Sequence, residues 1–184
     1  MFADLGVEAV STRQIGAAIG SLNTNVVAYH FGGKAELIEA VFHYRLPGID
    51  RRRGELLGEL QALTIPRLVT AFAIPLFEQV DATGHHTFAR FLGGLERSGM
   101  SAARGEVSQD YPHSQRLTEL LVAQLPPETI GEGYLRMRLM VSLFATVLHV
   151  IDRDPKLTPT ESARMFNNAI AMAAAAFGAE GETD

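Results

Sequence analysis

Between Leu139 and Ile151 the chain carries no charged side chain, and wound as a helix this stretch is apolar around most of its circumference. One stripe is Met137, Met140, Val141, Phe144, Leu148 and Ile151; a second is Leu135, Leu139, Leu143, Val147 and Val150. Such a helix must be covered on both sides. One side can face the chain's own core, and the other needs a further surface. This run and its companion Ala169–Ala179 fall short of the roughly 20 apolar residues that span a bilayer, so no membrane partner is expected. Thr158-Pro159-Thr160-Glu161 reads as a capping box with proline at the first helical position, opening a final helix. Its stripe is Ala163, Phe166, Ile170, Ala173, Ala174 and Phe177, and the alanines let a partner helix come close. The last two helices are therefore expected to form an association surface, as a homodimeric four-helix interface, the alternative being a fully buried helix pair inside a monomer.

Helical periodicity dominates the rest of the chain and strand signals are nearly absent, so the fold class is all-α. At 184 residues, 47% hydrophobic and 20% charged, the chain can bury a core of one or two domains and is unlike a disordered one. Ser11-Thr12-Arg13-Gln14 is a capping box that opens a short helix, with Ile15, Ala18 and Ile19 on one face and Gly20 as its stop. After the turn Ser21-Leu22-Asn23, a second short helix from about Thr24 to His30 ends at Phe31-Gly32-Gly33, where glycine supplies a left-handed terminus. Together they make a helix-turn-helix outline. A long helix follows from Lys34, with an interruption expected near Pro47 and a resumption to about Ala62. Ile65 to Val80, with Pro75 inside, reads as a kinked or divided helix. His85–Arg97, Ser114–Leu125 and a helix from Pro126-Pro127-Glu128 to Asp152 are also expected, with a loop over 104–112.

No catalytic constellation emerges, so no enzyme, cofactor or metal is expected. Without cysteine there can be no disulfide, zinc-thiolate site or thiol nucleophile. Gly99-Met100-Ser101-Ala102-Ala103 lacks the second glycine of a nucleophile elbow. Gly33-Lys34-Ala35 resembles the end of a phosphate loop, but Ala28 and Ala35 stand where glycine and a hydroxyl residue are needed. The six histidines show no ligand spacing. His85-His86 reads as a solvated helix start, and His149 as a core or pocket residue.

The net charge of −5 is unevenly placed. Residues 1–53 hold six basic and five acidic side chains, leaving ten basic and sixteen acidic for the remainder. A near-neutral front permits DNA binding without demonstrating it.

Residues 11–37, STRQIGAAIGSLNTNVVAYHFGGKAEL, resemble the DNA-binding domain of the TetR family of bacterial transcriptional regulators. The matching features are the capped helix Ser11–Ile19 with Gly20, the Tyr29-His30-Phe31 ending, and Gly33-Lys34-x-Glu36-Leu37 opening the next helix. The likeness covers about the first 45 residues; beyond them it is architectural only. It implies a helix-turn-helix DNA-binding domain over 1–45, a helical effector-binding and dimerisation domain over 46–178, and a disordered tail over 179–184. It also implies a cytoplasmic repressor that binds a near-palindromic double-stranded operator as a homodimer and responds to a small molecule. Ala28 replaces a tyrosine common in relatives, so that contact is not carried over. Met1–Gly6 reads as the end of a first helix, which predicts on the order of ten upstream residues, about one average helix.

In such a domain the start of the second helix meets base edges. Thr24 and Asn25 lie there, with Asn23 as the expected cap, and asparagine can pair bidentately with adenine. The free amides at Ser11, Thr12 and Arg13 suit a phosphate, and Tyr29, His30 and Lys34 would hold phosphates across the groove. For an apolar or aromatic effector the candidates are Phe72, Phe77, Phe88, Phe91, Leu92, Met137, Met140, Phe144 and His149. The competing expectation is a helical small-molecule-binding or scaffold dimer without specific DNA recognition, motivated by Ala28, by the turn Ser21-Leu22-Asn23-Thr24, one residue longer than the common pattern of the family it resembles, and by the overall acidity.

Overall fold

The computed structural model describes residues 1–23, 25–98 and 110–180. Every regular element among them is helical: α1 Phe2–Leu5, α2 Thr12–Ala18, α3 Val26–Phe31, α4 Lys34–Glu59, α5 Ile65–Glu78, α6 Thr87–Arg97, α7 Pro112–Val122, α8 Gly133–Arg153 and α9 Pro159–Phe177. A 3-10 turn at Ile130–Glu132 leads into α8. The nucleophile-elbow candidate at 99–103 and most of the expected loop, 104–109, lie outside the described residues.

Both internal prolines are absorbed rather than obeyed. α4 passes Pro47 and α5 passes Pro75 without a break, against the expected interruptions. A proline inside a helix costs about 3 kcal/mol through a lost bond and a clash with the preceding turn. Packing outweighs that here. α4 buries Ile38, Phe42 and Ile49, and α5 buries Leu68, Val69, Phe72 and Leu76. Beside Pro47, the Gln79 side chain donates to the Arg45 carbonyl at 3.3 Å.

α8 starts later than expected. The Pro126-Pro127 pair opens a turn, with the Thr129 amide donating to the Pro126 carbonyl at 3.0 Å. The helix then begins at Gly133, where a Cβ would stand 2.8 Å from Val122 Cγ2 of α7. Close approach also explains Gly93, since a Cβ there would lie 2.7 Å from the Ala145 Cβ of α8.

The two stripes of α8 meet different fates. Met137, Met140, Val141, Phe144, Leu148 and Ile151 are all buried in the core. Leu135, Leu139 and Val150 remain 54%, 61% and 46% exposed, while Leu143 and Val147 are half-buried against the core, so the second face is only partly covered by its own chain. The stretch Ile130–Arg153 is the one helix among the described residues that is long and apolar enough, by length and composition, to cross a membrane.

α9 corrects an expectation. Its capping box forms as expected, with Thr158 Oγ1 accepting from the Glu161 amide and Glu161 accepting from the Thr158 amide. Its apolar stripe, however, does not face outward. Phe166, Ile170, Ala173, Ala174 and Phe177 are buried, and the helix packs on α8 and α5. Its outward apolar side chains are Ala171, Ala175, Ala176 and the 62% exposed Met172. Arg136 closes the end of α9 by donating to the Phe177 and Ala179 carbonyls at 2.6 and 2.7 Å, which suits the negative end of a helix. Of the expected tail, Ala179 is held in this way, and residues 181–184 lie outside the described residues.

The histidine pair was also misjudged from sequence. His85 is exposed, but His86 is 5% exposed and faces a buried carboxylate. Its Nδ1 lies 2.6 Å from Asp152 Oδ1, its amide donates to Asp152 Oδ2 at 2.9 Å, and its Nε2 faces the Phe77 carbonyl at 3.1 Å. Arg90 stands 3.8 Å from Asp152 and 2.6 Å from Asp4, tying α1 to α6 and α8. Arg90 Nε is buried without a hydrogen-bond partner. Asp152 thus compensates several groups held out of water, and a buried pair broken from one side is destabilised by about 3–5 kcal/mol. Asp152→Ala is expected to lose that much in urea melts at neutral pH; a loss under about 1 kcal/mol would contradict this account.

Candidate nucleic-acid interface and internal cavity

The capping box at the start of α2 forms in full. The Ser11 amide donates to Gln14 Oε1 at 2.8 Å, and the Gln14 amide donates to Ser11 Oγ at 3.2 Å. α2 then stops at Gly20, whose φ of +73° is the left-handed region that glycine enters freely. The buried contact is made at Gly16 rather than at Ala18 and Ile19, which are exposed, Ile19 by 68%. A Cβ on Gly16 would stand 2.9 Å from Val26 Cγ1, so a side chain there would wedge α3 away.

The turn between the helices is organised by its own side chains. The Asn23 amide donates to Ser21 Oγ at 3.1 Å, and the Asn25 amide donates to Asn23 Oδ1 at 2.9 Å. α3 therefore begins at Val26, and Asn25, not Asn23, occupies its N-cap position. The Asn25 side chain makes no cap hydrogen bond. Thr24 lies outside the described residues. Val27 is the inward anchor of α3, at 3% exposure, and Gly32 ends the helix with φ +97°.

Ser11, Arg13, Asn23, Asn25, Tyr29 and His30 are all exposed, and Thr12 and Lys34 are half-buried. Tyr29 is 80% exposed and meets the His30 ring edge-on at 5.0 Å. The Lys34 ammonium donates to the Glu8 carbonyl at 3.4 Å, so this lysine also ties the α1–α2 loop to the start of α4. The α2–α3 pair thus presents an outer edge of amides, hydroxyls and one tyrosine with few cations.

Further along α4, a cavity of 230 Å³ lies among α4, α5, α6, α7 and α8. Of the sequence candidates, Phe72, Phe88, Leu92 and Met137 line it. Phe91 packs instead against Phe2 and Phe42, Phe144 and Phe77 stack on Phe166, and Met140 is core. His149 is exposed on the outer side of α8, neither in the core nor in the cavity.

Sequence reasoning missed the polar wall. Asp50 and Arg53 are buried one turn apart on α4. Asp50 Oδ1 accepts from the Ser114 amide at 2.7 Å, satisfying an orphan donor in the first turn of α7. Arg53 donates from Nε and Nη2 to the Phe72 carbonyl at 3.2 and 3.0 Å, and from Nη1 to Ser114 Oγ at 3.0 Å. Its guanidinium carbon lies 3.9 Å from the Phe72 ring centroid. At the mouth, Arg138 donates to Glu96 at 2.7 Å. Tyr111, also lining the cavity, lies 3.1 Å from His43 Nδ1 on α4, and His43 Nε2 lies 3.5 Å from Glu39. Burial, with Asp110 and Asp50 adding to it, pushes the Tyr111 hydroxyl up, so it remains a neutral donor. The spacing Phe42, Leu46, Ile49, Arg53 was the available signal, because it puts the arginine on the buried face of α4.

Among the described residues no group of three or more histidines and carboxylates is placed to hold a metal ion. No family model and no curated protein matches the chain.

Gly16→Val is expected to destabilise the α2–α3 pair by about 1–3 kcal/mol through overpacking. Hydrogen exchange would show lost protection over 12–31 with α5–α9 unchanged; equal protection in both proteins would remove the Gly16–Val26 contact as the constraint.

Proposed function

We propose that the chain is a cytoplasmic transcriptional repressor of the TetR type, binding a near-palindromic operator as a homodimer and released by a small apolar or aromatic effector. The observation that carries this reading is the exposed outer edge of α2 and α3, with the Asn25 side chain uncommitted at the N-cap of α3. The first residues of such a helix meet base edges in the major groove. Thr12 and Arg13 supply amides and a cation for one phosphate, the Ser11 amide being taken by Gln14, and Tyr29, His30 and Lys34 supply donors for others. In this reading residues 1–45 form the helix-turn-helix domain and 46–178 the effector and dimer domain, with α4 running through the junction.

That continuity gives the effector a lever. α4 begins at Lys34 beside the α2–α3 pair and reaches Arg53 in the cavity wall. A ligand that prefers one setting of α4 lowers DNA affinity by its difference in affinity for the two settings, and no further.

The dimer surface is the outer stripe of α8, with Leu135, Leu139 and Val150 exposed and Leu143 and Val147 half-buried between them, extended by the exposed Met172 of α9. Two leucines and a valine left exposed on one helix, Leu135, Leu139 and Val150, form the kind of apolar patch that marks an association site, and a two-fold pairing of equal copies is the commonest solution. Leu139→Glu is expected to convert a dimer to a monomer in sedimentation equilibrium. A monomeric parent chain would refute this part of the proposal.

Selection from random duplex DNA followed by gel shift tests recognition. Lys34→Ala should weaken binding alike on all sequences and reduce the salt slope by about one contact. Asn25→Ala should cost roughly 1–3 kcal/mol on the selected site and relax one base position. If no salt-sensitive specific binding is found, the chain is instead a helical ligand-binding or scaffold dimer.

A further inference from the structure

We infer that the cavity among α4–α8 takes an uncharged aromatic molecule of about two fused rings and turns away the same skeleton bearing a carboxylate. The inference rests on the proposal that this cavity is the effector site, and specifies its chemistry. Size comes first. A cavity of about 150 Å³ holds a benzene ring, and this one measures 230 Å³. Its floor is made by Phe72, Phe88, Leu92 and Met137, all buried, so a flat apolar body finds ring faces and methylene groups and little to hydrogen-bond.

Charge decides the rest. An arginine in an aromatic cavity invites a carboxylate, and bidentate recognition needs two donors on one edge of the guanidinium. Here the Nε and Nη2 donors both go to the Phe72 carbonyl, and Nη1 donates to Ser114 Oγ. Either edge would have to surrender a bond already made inside the protein. The guanidinium carbon also sits 3.9 Å over the Phe72 ring centroid, which helps hold the group there. At the mouth the Arg138 guanidinium donates to Glu96, whose side chain is 6% exposed, and a second carboxylate, Glu119, flanks it. An entering anion meets two carboxylates, Glu96 and Glu119, and a cation, Arg138, whose Nε already donates to Glu96, so it gains less for the water it loses than it would from an unpaired cation. A neutral ligand displaces nothing.

Isothermal titration of the purified full chain at neutral pH, with 2-naphthol and then 2-naphthoate as probes, tests this. The expected result is saturable one-to-one binding of 2-naphthol and binding of 2-naphthoate weaker by about tenfold or more. Leu92→Trp fills the floor, and Thr118→Trp, at a half-buried position, closes the mouth with less risk to the core. Each variant that keeps the parent circular dichroism should lose 2-naphthol binding. Naphthoate binding equal to or tighter than naphthol, no naphthol binding, or naphthol binding that survives both folded variants overturns the inference. Gel shifts on the same samples judge the regulator separately. DNA binding without naphthol binding sinks only the ligand assignment, and naphthol binding without DNA binding sinks the regulator and leaves the cavity chemistry standing.

Discussion

Asp50 and Arg53, two opposite charges buried one turn apart on α4, hold the centre of the molecule together. Asp50 satisfies an amide in the first turn of α7 that no residue of α7 can reach. Arg53 spans from the α5 backbone to the Ser114 hydroxyl. Three helices that share no regular hydrogen bonding are thereby fixed in register around a cavity. Apolar packing alone would close such a space, because interiors are dense and voids lose contacts. Groups whose hydrogen bonds must all be met keep the walls apart at set positions, and an open cavity survives beside them.

The same logic applies at the opposite end of the core, where His86, Asp152 and Arg90 join α6 to α8 and, through Asp4, to the four-residue α1. So short a helix has little stability of its own. It stays in place because Phe2 stacks on Phe91 at 5.9 Å and Asp4 meets Arg90. Phe42 then extends that aromatic cluster from α4, 5.7 Å from Phe91 and 6.2 Å from Phe88. α1, the first half of α4 and the cavity thus share one packed wall.

The local signals in the sequence carried well into the structure. Both capping boxes, the glycine stops at Gly20 and Gly32, and the buried stripe of α8 depend on neighbours within a few residues, and a reader of the chain can find them. Pro47 and Pro75 misled because a local penalty of a few kcal/mol is smaller than the burial of a whole helix face. The alanine stripe of α9 was correctly seen as a close-packing face, but which neighbour it met was a tertiary fact. His86 and Asp152 are 66 residues apart, and no periodicity connects them. Of the cavity candidates, the chosen Phe and Met residues were sound as core, but only some point into the space. The polar wall was overlooked because Arg51-Arg52-Arg53 looks like a solvated run, although Arg53 alone falls on the face of Phe42, Leu46 and Ile49.

A long helix with both ends committed transmits motion better than a flexible linker would. Lys34 is fastened to the Glu8 carbonyl at one end, Arg53 to α5 and α7 toward the other, and His43 to Tyr111 between them. In the proposed function, a ligand touching Tyr111 from the cavity would work on α4 near its midpoint, where a small sideways shift would become a tilt at Lys34. Pro47 lies just beyond that point, with one backbone bond already missing from the helix. Bending there meets less resistance than elsewhere along α4. The proline that packing overrides in the folded chain is thus also where the helix yields most easily, and the strongest ties, at Asp50 and Arg53, lie on the cavity side of it.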